Sequence, residues 1–266
     1  MIHALSLQEN TQTISRALNV ILTAMHHQAV IRQHVTTTEL DQFLAQGWRR
    51  FGTYFFRYSN LPRPKTLHIQ PLRMCLADFA PNRSQRRTWQ GNQDLTTRVQ
   101  TAFITPEYQR LFALHKTRFT ENIPDCLEDF LGHHPEHQPC QTRVIRIEHN
   151  HRLLAAHFID IGQHSLSSVY SVYDPAWSER GLGIFSILKA IEYAKSLGKT
   201  WYYLGYATRE PSHYDYKKQF AALEYFDWQI WKPLKQAKPT SLLDVPKTVP
   251  RFEEDIYSSP APEINL

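Results

Sequence analysis

Two rhythms of apolar residues run through this chain, and they change places most clearly between Val169 and Tyr206. An aromatic and β-branched run alternates with period two up to Tyr173 and stops at Asp174-Pro175, as a strand does at a turn. Beyond Arg180-Gly181-Leu182-Gly183, the residues Ile184, Ile187, Leu188, Ile191 and Ala194 recur at helical spacing. Gly198 marks the helix end, since glycine accepts the left-handed C-cap conformation. Trp201–Tyr206 then reads as a second strand. Strand, glycine-bearing turn, helix and strand of this length predict a βαβ-type unit. Its turn is suited to a ligand, because unpaired N–H groups at a helix start favour negative charge or a carbonyl oxygen, although such turns also serve as plain connections.

The same rhythms extend over the rest of the chain. Ile14, Leu18, Ile21, Leu22 and Met25 predict an amphipathic helix, and Thr36 with Glu39 predicts the capped start of a second, with Leu40, Phe43 and Leu44 on one face. Trp48–Tyr58, with aromatics on both parities, reads as one strand buried on both sides. Leu67–Phe79 reads as another, with Pro71 marking an irregularity or an edge. Leu95–Ala102 is expected as a strand, and Thr105-Pro106 opens a helix that buries Tyr108, Leu111, Phe112 and Leu114. After a short helix over Cys126–Leu131 come strands at Thr142–His149, Leu153–Ile161 and Ser165–Tyr173, and a last strand-like run at Glu224–Trp231. The layout predicts an α/β (α+β) protein with a helical N-terminal region and a mixed, largely antiparallel sheet flanked by helices. Its expected divisions are 1–131, 132–234 and a Pro-rich, disordered tail over 235–266.

Composition adds three constraints. The 266 residues carry a net charge of +5 before counting 14 His, which permits a polyanionic partner without demanding one. No apolar run reaches the roughly 18 residues of a membrane helix, and the N-terminus lacks the pattern of a signal peptide. The three cysteines are odd in number and widely spaced, which points to a reducing compartment, most simply the cytoplasm. The His-rich loop Gly132–Cys140 has no standard metal-ligand spacing, so no metal site is expected there. The densest basic cluster is Arg83-Ser84-Gln85-Arg86-Arg87 with Trp89; taken alone such a run is more often a solvated helix start, and its alternative is guanidinium forks and an indole for a nucleic acid. Arg49 and Arg50 stand at a strand mouth, where solvent and ligand contact are equally open readings.

Seven stretches, in order, are GWRRFG (47–52), PLR (71–73), FAPNRSQRRTWQGN (79–92), SSVYSVYDP (167–175), RGLG (180–183), YYLGY (202–206) and YKKQF (216–220). On these the chain resembles the aminoacyl-tRNA–protein transferases, the arginyl-tRNA–protein transferases and their bacterial leucyl relatives, over roughly residues 30–234. The resemblance implies a GNAT-like fold with the acyl donor near a split in the sheet. It also implies transfer of an amino acid, arginine first and leucine second, from charged tRNA to a protein or peptide N-terminus. No DNA or membrane partner is implied. The aminoacyl ester is already activated, so such a site must hold a neutral amine, take its proton and stabilise an oxyanion.

Carried onto this sequence, the resemblance gives Asp174 the amine or its proton. Tyr173, Tyr203 and Tyr206 fall to the acyl group or terminal adenosine, and the backbone at Arg180, Gly181 and Gly183 to the oxyanion or tRNA terminus. Arg83, Ser84, Gln85, Arg86 and Arg87 fall to the acceptor stem, Arg49 or Arg50 to an acidic acceptor residue, and Lys217 to tRNA or substrate. The family's N-terminal Cys cluster has no counterpart, since the matching loop reads SNLPRPKTLHIQ. Neither zinc nor an iron–sulfur cluster is therefore expected, and aminoacyl-tRNA is the sole co-substrate. Pro211–Tyr214 likewise replaces a Cys-Arg-Lys-Met-like run. The alternative is an acyl-CoA-dependent GNAT N-acyltransferase holding a pyrophosphate at Arg180–Gly183, against which Phe185 is a poor fit.

Overall fold

A computed structural model of the protein describes residues 27–61, 66–119 and 123–235. The helix expected over Ile14–Met25 and the tail beyond Lys235 lie outside the described residues. The first described element is a strand, β1 (Gln28–Ile31), followed by helix α1 (Thr37–Ala45). Thr36 caps α1 through a reciprocal capping box with Glu39, and Leu40 and Leu44 are buried on one face. The single strand expected over Trp48–Tyr58 is instead a hairpin, β2 (Arg49–Phe51) and β3 (Tyr54–Arg57), turning at Gly52-Thr53. Aromatics on both parities reflect two strands with opposite registers. β1 pairs with β3 to complete a three-stranded sheet.

The main sheet is built from β4 (Asn60–Leu61), β5 (Leu67–Cys75), β6 (Thr96–Thr101), β7 (Thr142–His149), β8 (Arg152–Ile161), β9 (Ser165–Tyr173), β10 (Trp201–Thr208), β11 (Leu223–Phe226) and β12 (Trp231–Pro233). Its order is β12-β11-β5-β10-β9-β8-β7-β6, with β4 paired to β5. The run Glu224–Trp231 is thus another hairpin, broken where Trp228 takes φ 75°. Pro71 lies on β5 opposite Tyr206, beyond the reach of β11 and beside the register shift at Tyr203/Gly205, so its missing N–H costs no ladder bond on that side.

Helices α2 (Arg83–Gln90), α3 (Pro106–Lys116), α4 (Glu128–Leu131) and α5 (Leu182–Ser196) flank the sheet, with 3₁₀ turns at Pro175–Arg180 and His213–Gln219. On α3 the buried residues are Tyr108, Leu111, Phe112 and His115. Leu114, expected inside, is 45% exposed, because the helical period carries the buried stripe from 111 and 112 to 115.

One pair in this otherwise antiparallel path is parallel. β9 and β10, joined by α5, pair only over Ser165–Ser167 and Trp201–Tyr203. Past those residues the two strands share no ladder bonds, which opens the sheet at its middle, as the expected fold class requires. This mixed, mostly antiparallel sheet with flanking helices matches the class read from the sequence. β5 and β6 precede residue 131 and β7–β12 follow it, and all lie in one sheet.

Candidate active site

Where β9 and β10 separate, a cavity of about 460 Å³ enters the molecule. The start of α5 forms one wall. Asp174 and Pro175 end β9 in the 3₁₀ turn, Gly181 takes the left-handed conformation at φ 61°, and α5 begins with no side-chain cap. The first-turn backbone at Gly181, Leu182, Gly183 and Ile184 therefore borders the cavity with the positive end of a 15-residue helix. Opposite stand Phe51 and Phe56 of the hairpin, Tyr202, Leu204 and Tyr206 of β10, and Tyr214, Tyr216 and Lys217 of the second 3₁₀ turn. Three cationic side chains, Arg49, Arg118 and Lys217, line the cavity, and no carboxylate of a described residue does.

Arg49 is the most unusual of the three. Its guanidinium donates to Ser167 Oγ at 2.9 Å and to the Ser168 carbonyl, and no described carboxylate pairs with it. Burial pulls its pKa below the ordinary arginine value. It lies flat against the backbone of Gly205, where an added Cβ would stand 3.2 Å from Cζ; Gly205 has φ +90°. The GWRRFG and YYLGY stretches thus meet at one contact. Arg50, the next residue, faces the other way. It holds Asp160 through two bonds of 2.7 and 2.6 Å and reaches Thr142 Oγ1 at 2.8 Å, fully inside the protein. That ion pair holds its pKa above the usual value, and it serves the fold. Of the two arginines expected to meet an acidic acceptor, only Arg49 reaches the cavity.

The tyrosines divide in the same way. Tyr173 lines the cavity, with His115 edge-on at 4.9 Å and Arg118 over its ring at 4.4 Å. Tyr206 lines it too, but its hydroxyl donates to the Gly47 carbonyl at 2.8 Å and burial pushes its pKa up. It ties β10 to the hairpin rather than offering a proton. Tyr203, one residue off the period of Tyr202, Leu204 and Tyr206, points to the opposite face and packs with Leu40, Leu44 and Phe55.

Asp174 is absent from the cavity lining. Its carboxylate caps the 3₁₀ turn at Ala176 N (3.0 Å) and pairs with Arg152 at 2.6 Å, and the residue is 3% exposed. These contacts make it a turn cap and an ion-pair partner, apart from the cavity at which the amine was expected. Arg180 bonds Asn92 Oδ1 at 3.0 Å and Asp94, anchoring the turn to α2. Lys217 donates to the Tyr206 carbonyl at 3.0 Å from the cavity rim.

The RSQRR cluster forms the start of α2. Asn82 and Gln85 make a capping box, so Gln85 is buried and spent on the cap, while Arg83, Ser84, Arg86 and Arg87 are exposed. The residues flanking α2 bond to chain next to the cavity lining. Asn82 donates to Gln219 O at 3.1 Å at one end, and Asn92, just past the other, donates to Arg180 O at 2.8 Å. Trp89 packs on Phe185, with ring centroids 5.9 Å apart.

The cavity also contains residues that carried no expected role, above all His157 and, inside the SSVYSVYDP stretch, Ser168. A lone histidine inside the apolar run LLAAHFIDI is the visible signal of the first. Among the described residues no group of three His, Cys, Asp or Glu side chains is placed to hold a metal ion. The donor set of a zinc or iron–sulfur cluster is therefore not met there. No helix among them is long and apolar enough to cross a membrane.

A model described as the C terminus of arginine-tRNA-protein transferase matches residues 104–227, and its N-terminal counterpart matches residues 10–87. An aspartate/glutamate leucyltransferase of Stenotrophomonas maltophilia (strain R551-3) is 34% identical over 71% of this chain and 77% of its own length. One from Aeromonas hydrophila subsp. hydrophila is 32% identical over 75% and 82%. Among solved structures, FemX is similar with a TM-score of 0.43 and 10% identity, covering 77% of this chain and 70% of that one.

Proposed function

The chain belongs to the aminoacyl-tRNA–protein transferase family, and from that premise we propose that it transfers leucine from charged tRNA to proteins whose N-terminal residue is aspartate or glutamate. The observation that carries this reading is a cavity with three cations, a helix N-terminus and no described carboxylate. An acidic side chain is the complementary ligand, and Arg49 is its anchor, because a half-buried guanidinium with no described carboxylate partner gains most from one. Leucine, in place of the arginine expected from the sequence, follows the leucyltransferase names of the relatives at 32–34% identity. An apolar leucyl side chain also suits the aromatic walls at Phe51, Phe56 and Tyr202. The α5 start faces the ester carbonyl, where its N–H groups stabilise the oxyanion. The exposed Arg83, Arg86 and Arg87 take phosphates of the acceptor stem.

The test is transfer of labelled leucine and labelled arginine from their charged tRNAs to peptides beginning with Asp, Glu, Lys or Ala. Leucine on Asp and Glu peptides alone is the expected result. Arginine in its place would reverse the donor, and transfer to the Ala peptide would remove the assignment of Arg49.

A further inference from the structure

Resting on that reading, we propose that Ser168 and His157 form the relay that takes the proton of the acceptor amine, with Ser168 presented to the cavity as a hydrogen-bond acceptor. His157 lies on β8, wholly buried, in the cavity wall. Its Nδ1 is 3.2 Å from the Ser186 carbonyl on α5. A carbonyl only accepts, so Nδ1 carries the hydrogen. Burial, with help from Lys217 and Arg49, lowers the imidazole to about 4. The neutral ring then has a bare Nε2, and Ser168 Oγ lies 2.5 Å from it. The serine proton points at the ring, and its lone pairs face the Tyr202 hydroxyl, a second hydrogen-bond partner, and the cavity that both residues line.

A backbone irregularity delivers Ser168 to this position. Phe158 pairs with Tyr170 and Ile159 with Ser168, so Val169 is an extra residue in β9, and successive residues from Ser168 onward line the cavity. Such a bulge re-aims side chains that strict alternation would turn away. The Ser168 carbonyl holds Arg49. One residue therefore touches both a donor for a carboxylate and an acceptor for an amine, the two groups that an N-terminal acidic residue carries close together.

In the transfer step the amine nitrogen attacks the ester carbonyl carbon. The N–C bond forms and the C–O bond to the ribose breaks. One amine proton passes to Ser168 Oγ as the serine proton passes to His157 Nε2. His157 Nε2 then returns its proton to Ser168 Oγ as the hydroxyl gives one to the departing ribose oxygen, which leaves as the alcohol. The imidazolium is short-lived because Arg49 and Lys217 oppose its charge. No further reactant is needed.

The deciding experiment is single-turnover transfer from labelled leucyl-tRNA to an Asp-initiated peptide, in mixtures of H₂O and D₂O. Ser168→Ala and His157→Gln are expected to slow the chemical step by about 100-fold, with peptide affinity within about threefold. Ser168→Thr, which keeps the hydroxyl, is expected to recover at least a tenth of the wild-type rate. Wild type is expected to give a bowed dependence on deuterium fraction, from two protons in flight, and Ser168→Ala a straight one. A Ser168→Ala rate within threefold of wild type, or a bow that survives the substitution, overturns the relay while leaving the function intact. A wild-type protein inert with every charged tRNA overturns both.

Discussion

Arg49 and Arg50 are consecutive on β2 but occupy opposite electrostatic settings. Arg50 is closed around Asp160 with good bidentate geometry and a third partner in Thr142. Arg49 reaches a serine hydroxyl and a backbone carbonyl, with no described carboxylate paired to it, at the edge of a cavity whose described lining has no negative charge. A strand of three residues thus contributes a structural knot on one face and, on the other, a cation with no described carboxylate paired to it. A partly desolvated cation without a paired carboxylate gains from a ligand that supplies one. The pair separates what the sequence motif GWRRFG presents as one basic spot.

The sharpest way to break this contrast is Arg50→Met. It strands Asp160 in the interior, and a loss of about 3–5 kcal/mol in urea unfolding is expected; adding Asp160→Leu should restore much of it. A loss below 1 kcal/mol would mean that the knot is replaceable by solvent.

The cavity side has its own signature in acid. His157 is buried neutral, with a folded value of about 4 against an ordinary 6.5. The unfolded chain therefore binds the extra proton, and the contribution of this group is fully present above pH 6.5 and is lost as pH falls toward 4. Unfolding free energy should fall over that window by up to roughly 3 kcal/mol, and His157→Gln should flatten the decline.

Arg49→Met should leave stability within about 1 kcal/mol, since it orphans no carboxylate. It should lower kcat/KM for Asp- and Glu-initiated peptides by about 10–100-fold, the worth of a charge-assisted bond. Equal losses with both substitutions in both assays would erase the distinction between the two arginines. Next in size, Arg86→Ala with Arg87→Ala should weaken tRNA binding about tenfold and reduce its logarithmic salt slope by about 2. The smallest effect is expected at Tyr203→Phe, within about twofold in transfer, because its ring faces away from the cavity.

Much of this architecture was legible in the chain. The turn at Arg180–Gly183, the helix after it and the paired strands follow directly from where apolar period two becomes period 3.6. Thr36/Glu39 and Thr105-Pro106 announced their helices with local chemistry, and the caps formed as expected. The hairpins at 48–58 and 224–231 were hidden because aromatics on both parities mimic a doubly buried strand. Asp174 illustrates a different limit: an acid beside a glycine turn suggests chemistry, and only the position of Arg152 and Ala176 N reveals a cap. His157 carried no expected role because a lone histidine in an apolar strand reads as core, and Ser168, although inside SSVYSVYDP, because only the bulge at Val169 brings it to the cavity.

The close seating of the Arg49 guanidinium on Gly205 has a consequence for how such proteins can diverge. A side chain at position 205 would need both a left-handed backbone and a displaced arginine, so neither position can change freely while the other is kept. Across homologous chains the two positions should be inherited as a unit, with enlargement at one accompanied by loss of the long cation at the other.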